Sequence, residues 1–378
     1  MFKFPGIFFC ATLLFLAGCT TQPEEPLPRE WSLTNPVPTT VSPTATARRA
    51  ARPATPIRPA TVPLTRYHNQ PPPQVSRPAP ILTWTSLNRW TAENKLAAPR
   101  KVASSPVASY AVNSARGTLT LVIGSREAVW RGMTVNLGFA PEIIDDQVFV
   151  HGLDLQKNLE PLLLDPTLTF GNHRVIVIDP GHGGSNVGTH SAIDGRFEKE
   201  FTLDWALRLK PLLETNGWKV FLTRASDVYF TNSLRAGFAN AQQADLFISL
   251  HFNSGAPDTL QSGLETYCLT PTGMPSTLTR SFSDQWTDRY PNNSFDAENL
   301  QLAVRLHTAL LRGTGEEDRG VRRARFMDVL HNLHCPAVLI EGGYLSNPEE
   351  AKKIENAEFR EKLAEAVASA LRQSEDGK

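Results

Sequence analysis

A chain of 378 residues, 41% of them hydrophobic and 29 of them proline, has length for one to three domains and more proline than a globular fold needs. Lysine plus arginine and aspartate plus glutamate both number 38, which excludes the global basic field of a nucleic-acid-binding chain. The cysteines, Cys10, Cys19, Cys268 and Cys335, are too few for a disulfide scaffold and show no CxxC metal spacing.

Residues 1–18 read as a signal peptide: Lys3 near the start, an apolar run over 7–16, then Ala17 and Gly18 before Cys19. The run is too short to span a bilayer as a mature helix. Leu16-Ala17-Gly18-Cys19 resembles the bacterial lipobox at every position, which implies cleavage before Cys19, lipid on that cysteine and membrane attachment through it. An ordinary signal peptide with an incidental cysteine is the alternative. Thr20 stands where an aspartate often marks inner-membrane retention in Gram-negative relatives, so the expected location is the cell envelope, lipid-anchored at the outer membrane and facing the periplasm.

Residues 19–80 are rich in Pro, Thr, Ala and Arg without a sustained apolar period, and read as a disordered linker. At ~3.1 Å per residue, roughly 60 such residues reach about 190 Å. Residues 81–170 carry short β-type runs at 117–124, 126–130, 133–138 and 147–150, separated by turn residues; they predict a small β-rich accessory domain without a cluster of catalytic groups.

From 171 to 374 apolar runs alternate with helical patterns, predicting an α/β domain with a mostly parallel sheet flanked by helices. A buried strand at 175–178 ends in Asp179-Pro180-Gly181-His182-Gly183-Gly184, which sets an imidazole on a tight loop just beyond a strand's carboxyl end, where open α/β sheets place their chemistry. A helix starts near Glu198, where the helix dipole favours a carboxylate. Further strands are predicted at 219–222, 245–250, 264–268 and 337–340, with a helix over 233–242. The strand at 245–250 ends at His251 and the last at Glu341. His, Glu and His are a common ligand set for a catalytic zinc, with a fourth position left for water. Spacing alone leaves Glu198 and Glu200 both open as the carboxylate.

These residues carry an ordered pattern: IDPGHGG, the Glu198-Lys199 pair, Thr223-Arg224, ADLFISLHFN, GLETY, the run from Arg319 to Leu330, and PAVLIEGGYLSN. Over about 174–372 the domain resembles the zinc-dependent N-acetylmuramoyl-L-alanine amidases. The resemblance implies Zn²⁺ held by His182, Glu198 and His251, Glu341 as catalytic glutamate, and peptidoglycan (muropeptide) as substrate. It selects Glu198, the glutamate directly before lysine, so Glu200, about 200° further round the helix, should point away. The competing reading is a catalytically silent peptidoglycan-binding or regulatory lipoprotein with the same fold; a zinc hydrolase of another amide, such as a peptide cross-link, is the third.

Some relatives block their site with an inserted helix that an activator displaces. Here the polar, proline-bearing stretch between Tyr267 and Leu300 reads instead as a substrate-facing loop, and the sequence names no activator. Asp179 reads as a partner orienting His182 or as a turn-former, and Asn253 as a substrate contact or a structural hydrogen bond. A backbone amide near Gly183 or Gly184 is a candidate oxyanion donor. Arg224, Arg235 and Asn240 are expected to brace the fold, and His190, His307, His331 and His334 to lie on loops or helix surfaces. Cys268 and Cys335 are buried thiols or a disulfide. Asn347-Pro348 predicts a capped helix start, and the stripe Phe359, Leu363, Ala366, Val367, Ala370 a helix packed on the sheet.

Overall fold

The computed structural model describes residues 83–164, 168–170, 173–279 and 283–372; the signal peptide, Cys19 and the linker lie outside them. Chain order begins with β1 (Trp84–Ser86), α1 (Leu87–Glu93), β2 (Arg100–Ala103), β3 (Ser109–Ser114), β4 (Gly117–Val122), β5 (Glu127–Trp130), β6 (Met133–Asn136), β7 (Glu142–Ile144) and β8 (Gln147–His151). A helical run follows, made of α2 (Gly152–Asp154), a π turn and α3 (Glu160–Leu163). Then come β9 (Val175–Pro180), α4 (Glu198–Thr215), β10 (Lys219–Leu222), α5 (Asn232–Ala241), β11 (Leu246–Asn253) and β12 (Leu264–Cys268). The chain closes with α6 (Asp296–Thr314), β13 (Asp318–Arg323), β14 (Ala337–Tyr344), α7 (Pro348–Glu355) and α8 (Ala357–Ala370).

Every residue of β9 is buried, as its uninterrupted valine and isoleucine run requires of a strand covered on both faces. It sits in the parallel group β10-β9-β11-β14. Helix α4 turns Phe201, Trp205, Ala206, Leu209 and Leu213 inward at helical spacing, and α6 and α8 supply the rest of the helical layer. Asn347 caps α7 as its sequence predicts, its Oδ1 accepting from the amides of Glu349 at 2.9 Å and Glu350 at 3.2 Å.

Beyond β14 the sheet changes direction. β12 runs antiparallel to β14, with Glu265 opposite Glu341, so it enters at the edge where β9, β11 and β14 end and leaves at the far edge. The polar stretch after it therefore departs from the opposite side of the sheet. There Arg325, fully buried, donates to the Pro271 carbonyl at 2.9 Å and pairs with Asp284, whose carboxylate also takes the Ser276 amide at 2.7 Å. The expected substrate-facing loop is thus corrected: the reversal of one strand moves it away from the site, and its polar side chains bond to the fold.

β13 pairs parallel with β12, and on its other side with β6 through Val321 opposite Val135. β6 to β2 continue as an antiparallel meander, giving one sheet of eleven strands. The strands expected in 81–170 are present, but β2 to β6 extend the same sheet that carries the site rather than closing on themselves. The physical reason is the open edge of β13, whose Asp318 Oδ2 accepts the Thr134 amide at 2.7 Å and whose Val321 carbonyl accepts from Asn136 at 3.2 Å.

Candidate metal centre

β9 ends at Pro180, and the backbone turns through His182 at φ +62°, a left-handed conformation uncommon outside glycine. The neighbouring glycines make room for the site's own side chains: a Cβ on Gly181 would overlap the His251 ring, and one on Gly188 would meet both Glu198 and His182. Gly183 and Gly184 are already committed inside the loop, their amides donating to the Asn186 carbonyl at 2.8 Å and to Asp227 Oδ1 at 2.7 Å. The expected oxyanion donor is therefore not at either amide.

Glu198, 4% exposed at the first turn of α4, lies between the two histidines. Its Oε2 is 3.0 Å from His182 Nε2 and its Oε1 2.9 Å from His251 Nδ1. Backbone amides fix it from behind, Thr189 N on Oε2 and Phe252 N on Oε1, each at 3.0 Å. Burial alone would raise its pKa, but the hydrogen bonds and charges of His182 and His251 hold the carboxyl well below the usual range. Burial keeps His251 low, as a metal ligand requires. At His182 burial is outweighed by Glu198 and Asn186, which raise it. Glu200 points away, exposed, with its Oε1 accepting the Phe197 amide at 3.2 Å to cap the helix.

Asn186 is a site residue the sequence reading missed. Its Oδ1 is 2.8 Å from His182 Nδ1 and also accepts the Gly188 amide at 3.3 Å, so this atom is the amide oxygen and the ring nitrogen facing it must carry the proton. His182 Nε2 then presents a lone pair toward Glu198 and His251. The three donor atoms lie within 4.8 Å of one another. Two imidazole nitrogens and one carboxylate, the latter pinned by backbone amides, fit a borderline cation such as zinc. Glu341, 6% exposed on β14, stands directly beside His251 in the β11–β14 register and opposite Glu265 in the β12–β14 register.

With this geometry in place, the sequence profile of the N-acetylmuramoyl-L-alanine amidase family matches residues 176–373. The chain belongs to this family. It is 32% identical over 246 residues to N-acetylmuramoyl-L-alanine amidase AmiC of Escherichia coli, a match over 58% of this chain and 58% of that protein. It is 32% identical over 201 residues to a sporulation-specific amidase of Bacillus subtilis, over 53% of this chain and 67% of the other. A solved amidase from Clostridium difficile 630 aligns at 29% identity with a TM-score of 0.45, covering 53% of this chain and 96% of that one. The chain thus spans little more than half of the first of these relatives.

Of the supporting residues, Asp179 does not touch the His182 ring. Buried, it accepts from Thr223 Oγ1 at 2.5 Å, Arg235 Nη1 at 2.6 Å and Ser249 Oγ at 2.7 Å, and the Arg235 guanidinium outweighs burial to hold its pKa down. Arg235 passes the constraint on, donating from Nη2 to the His182 carbonyl at 2.7 Å. Arg224 braces the same loop through the Pro180 and Gly181 carbonyls, both at 2.9 Å. Asn253 is buried and donates to Glu265 Oε2 at 2.8 Å, the structural hydrogen bond rather than an exposed contact.

Two of the four remaining histidines depart from expectation. His307 is fully buried between Thr266 Oγ1 at 3.0 Å and Asp318 Oδ1 at 2.9 Å, and His331 stacks on Tyr290 with its Nε2 2.6 Å from the Arg325 carbonyl. Both fill polar gaps under α6 and the polar stretch, a placement that a single histidine in sequence does not announce. Cys268 and Cys335 are buried free thiols, and burial raises both, Cys335 to about 12.

Proposed function

We propose that this chain is a zinc-dependent N-acetylmuramoyl-L-alanine amidase that hydrolyses the amide between N-acetylmuramic acid and L-alanine in peptidoglycan. The observation that carries the reading is the grouping of His182 Nε2, Glu198 and His251 Nδ1, with Glu341 paired to His251 on the adjacent strand. His182, Glu198 and His251 would hold Zn²⁺, which when bound supplies a Lewis acid for the scissile carbonyl and acidifies water. Glu341 accepts the proton of the attacking water and delivers it to the departing alanine nitrogen, returning to its carboxylate form. Asn186 and Arg235 keep the His182 ring and its backbone in place.

The apolar run at 7–16 and Leu16-Ala17-Gly18-Cys19 support export and attachment through lipidated Cys19, and Thr20 after it supports the outer membrane. Purified protein should release free N-terminal alanine from muropeptides, lose that activity with a chelator and regain it with zinc. New sugar reducing ends in the digest would sink the reading. Labelled fatty acid should be incorporated into the chain and lost with Cys19→Ser; a Cys19→Ser variant that still carries the label refutes the anchor.

A further inference from the structure

The strand row that carries His251 and Glu341 does not stop at Glu341. Its next member is Glu265, 2% exposed and directly opposite Glu341 on β12. Two guanidiniums converge on it from β13: Arg319 Nε at 3.0 Å and Arg322 Nε at 3.1 Å, both on Oε1. Its other oxygen takes Tyr267 OH at 2.7 Å and Asn253 Nδ2 at 2.8 Å. Burial opposes its ionisation, but Arg322, Tyr267 and Arg319 outweigh that and keep it a carboxylate.

One buried anion thus anchors both cations at their Nε ends: Arg319 Nε donates to it, and Arg322 Nε lies in ion-pair contact with it while donating to the Arg319 carbonyl at 3.2 Å, which leaves the forked Nη ends directed elsewhere. Arg319 Nη1 makes only a 3.4 Å contact with the Ser262 carbonyl, and no described residue accepts from Arg319 Nη2 or from either Nη of Arg322. The Arg319 guanidinium is set against the Tyr344 ring, 5.1 Å from its centroid, and both arginine side chains keep access to solvent, at 26% and 19% exposure. The nearby Glu317 is engaged by Ser262 Oγ at 2.6 Å. The cluster of Arg319, Arg322 and Glu265 carries a net positive charge, beside the proposed proton carrier Glu341, and its free donors suit a carboxylate.

We propose that Arg319 and Arg322, splayed by Glu265, form a carboxylate subsite for the peptide half of the substrate. The proposal rests on the amidase reading, and the chemistry of the substrate orients it. Once the lactyl carboxyl is in amide linkage the sugar half carries no anion, whereas a γ-linked glutamate next to the alanine carries a free α-carboxylate. The subsite fixes which side of the scissile amide lies over β12 and β13, and it selects stem peptides whose second residue is the acid over those in which it is amidated.

The test compares N-acetylmuramoyl-L-alanyl-γ-D-glutamate with its isoglutamine counterpart on the intact chain. Binding is measured by calorimetry to zinc-loaded Glu341→Gln protein, so it does not depend on turnover. The acid should bind at least ~10-fold more tightly than the amide, in line with a charge-assisted bidentate contact. Adding Arg322→Gln or Arg319→Gln should erase that preference while changing affinity for the amide less than twofold. Equal affinity for the two ligands, or a loss shared equally by both in the arginine variants, overturns the subsite; the first outcome needs no arginine variant to fold. Failure of the amidase reading shows separately, as no cleavage of either compound by the unsubstituted zinc-loaded protein.

Discussion

At the scale of single residues the centre separates groups that would move protons from groups that hold others still. Glu341 has no ligand role in the proposed arrangement, so Glu341→Gln should lower kcat by roughly 10²–10⁴-fold while zinc stoichiometry is unchanged. Asn186→Ala should do the reverse. It removes the acceptor that fixes the His182 tautomer, so metal affinity should fall roughly 10–100-fold while kcat recovers in excess zinc. Metal analysis of dialysed proteins beside initial rates at graded zinc checks both. Near-normal turnover in Glu341→Gln would reject it as the proton carrier. His182, His251 and Glu341 stand out in sequence because strand-end motifs carry them, and Glu198 because it opens a helix in the Glu-Lys pair. Asn186 and Glu265 do not, since each works through a side-chain contact that only the folded loop or the strand pairing creates.

At the scale of elements, what is legible follows from how local the signal is. The buried apolar runs of β9, β11 and β14, the short apolar run of β10 and the cap of α7 announce themselves within a few residues. The 19-residue helix α6 went unread because it grows out of a polar, proline-bearing stretch, although Asp296 and Glu298 in its first turn and the left-handed Gly315 after its end are ordinary helix signals. The direction of β12 has no local signal at all, and it alone decides which side of the sheet the following stretch occupies.

Asp154 on α2 illustrates an element tied down by a buried charge. It accepts the Gly138 and Phe139 amides at 2.7 and 2.8 Å, yet burial outweighs these bonds and Arg126 and pushes its carboxyl from 3.8 up to about 6. Because the native state holds this proton more tightly than the unfolded chain, the contribution is full below about pH 3.8 and lost as pH rises through about 6. Asp154→Asn should remove that dependence. Between pH 4.5 and 7.5 the unsubstituted protein should lose about 2 kcal/mol relative to the variant, read from urea unfolding at both pH values. A stability difference that does not change with pH would contradict the assignment.

At the scale of the whole molecule, the family match over 176–373 invites treating that stretch as a free-standing domain, and the sheet argues against cutting there. β13 is an edge strand only if β6 is removed, and it would then expose unpaired backbone together with Val321. The loss extends below the sheet. Arg323, 1% exposed, donates to the Lys157 carbonyl at 2.9 Å and to Asn158 Oδ1 at 3.1 Å, and Asp296 at the head of α6 pairs with Lys157 at 2.8 Å. Removing the segment before 173 takes those partners away and leaves a guanidinium short of acceptors next to the helix that covers β12. A fragment of residues 173–372 should therefore melt at least ~5 °C below one of residues 83–372 and self-associate, as a protein with an open sheet edge does. Thermal melting and light scattering of the two fragments decide it. Equal melting temperatures with both fragments monomeric would mean that β2 to β6 are an ornament on an already complete sheet; the Arg323 and Asp318 contacts say instead that they finish it.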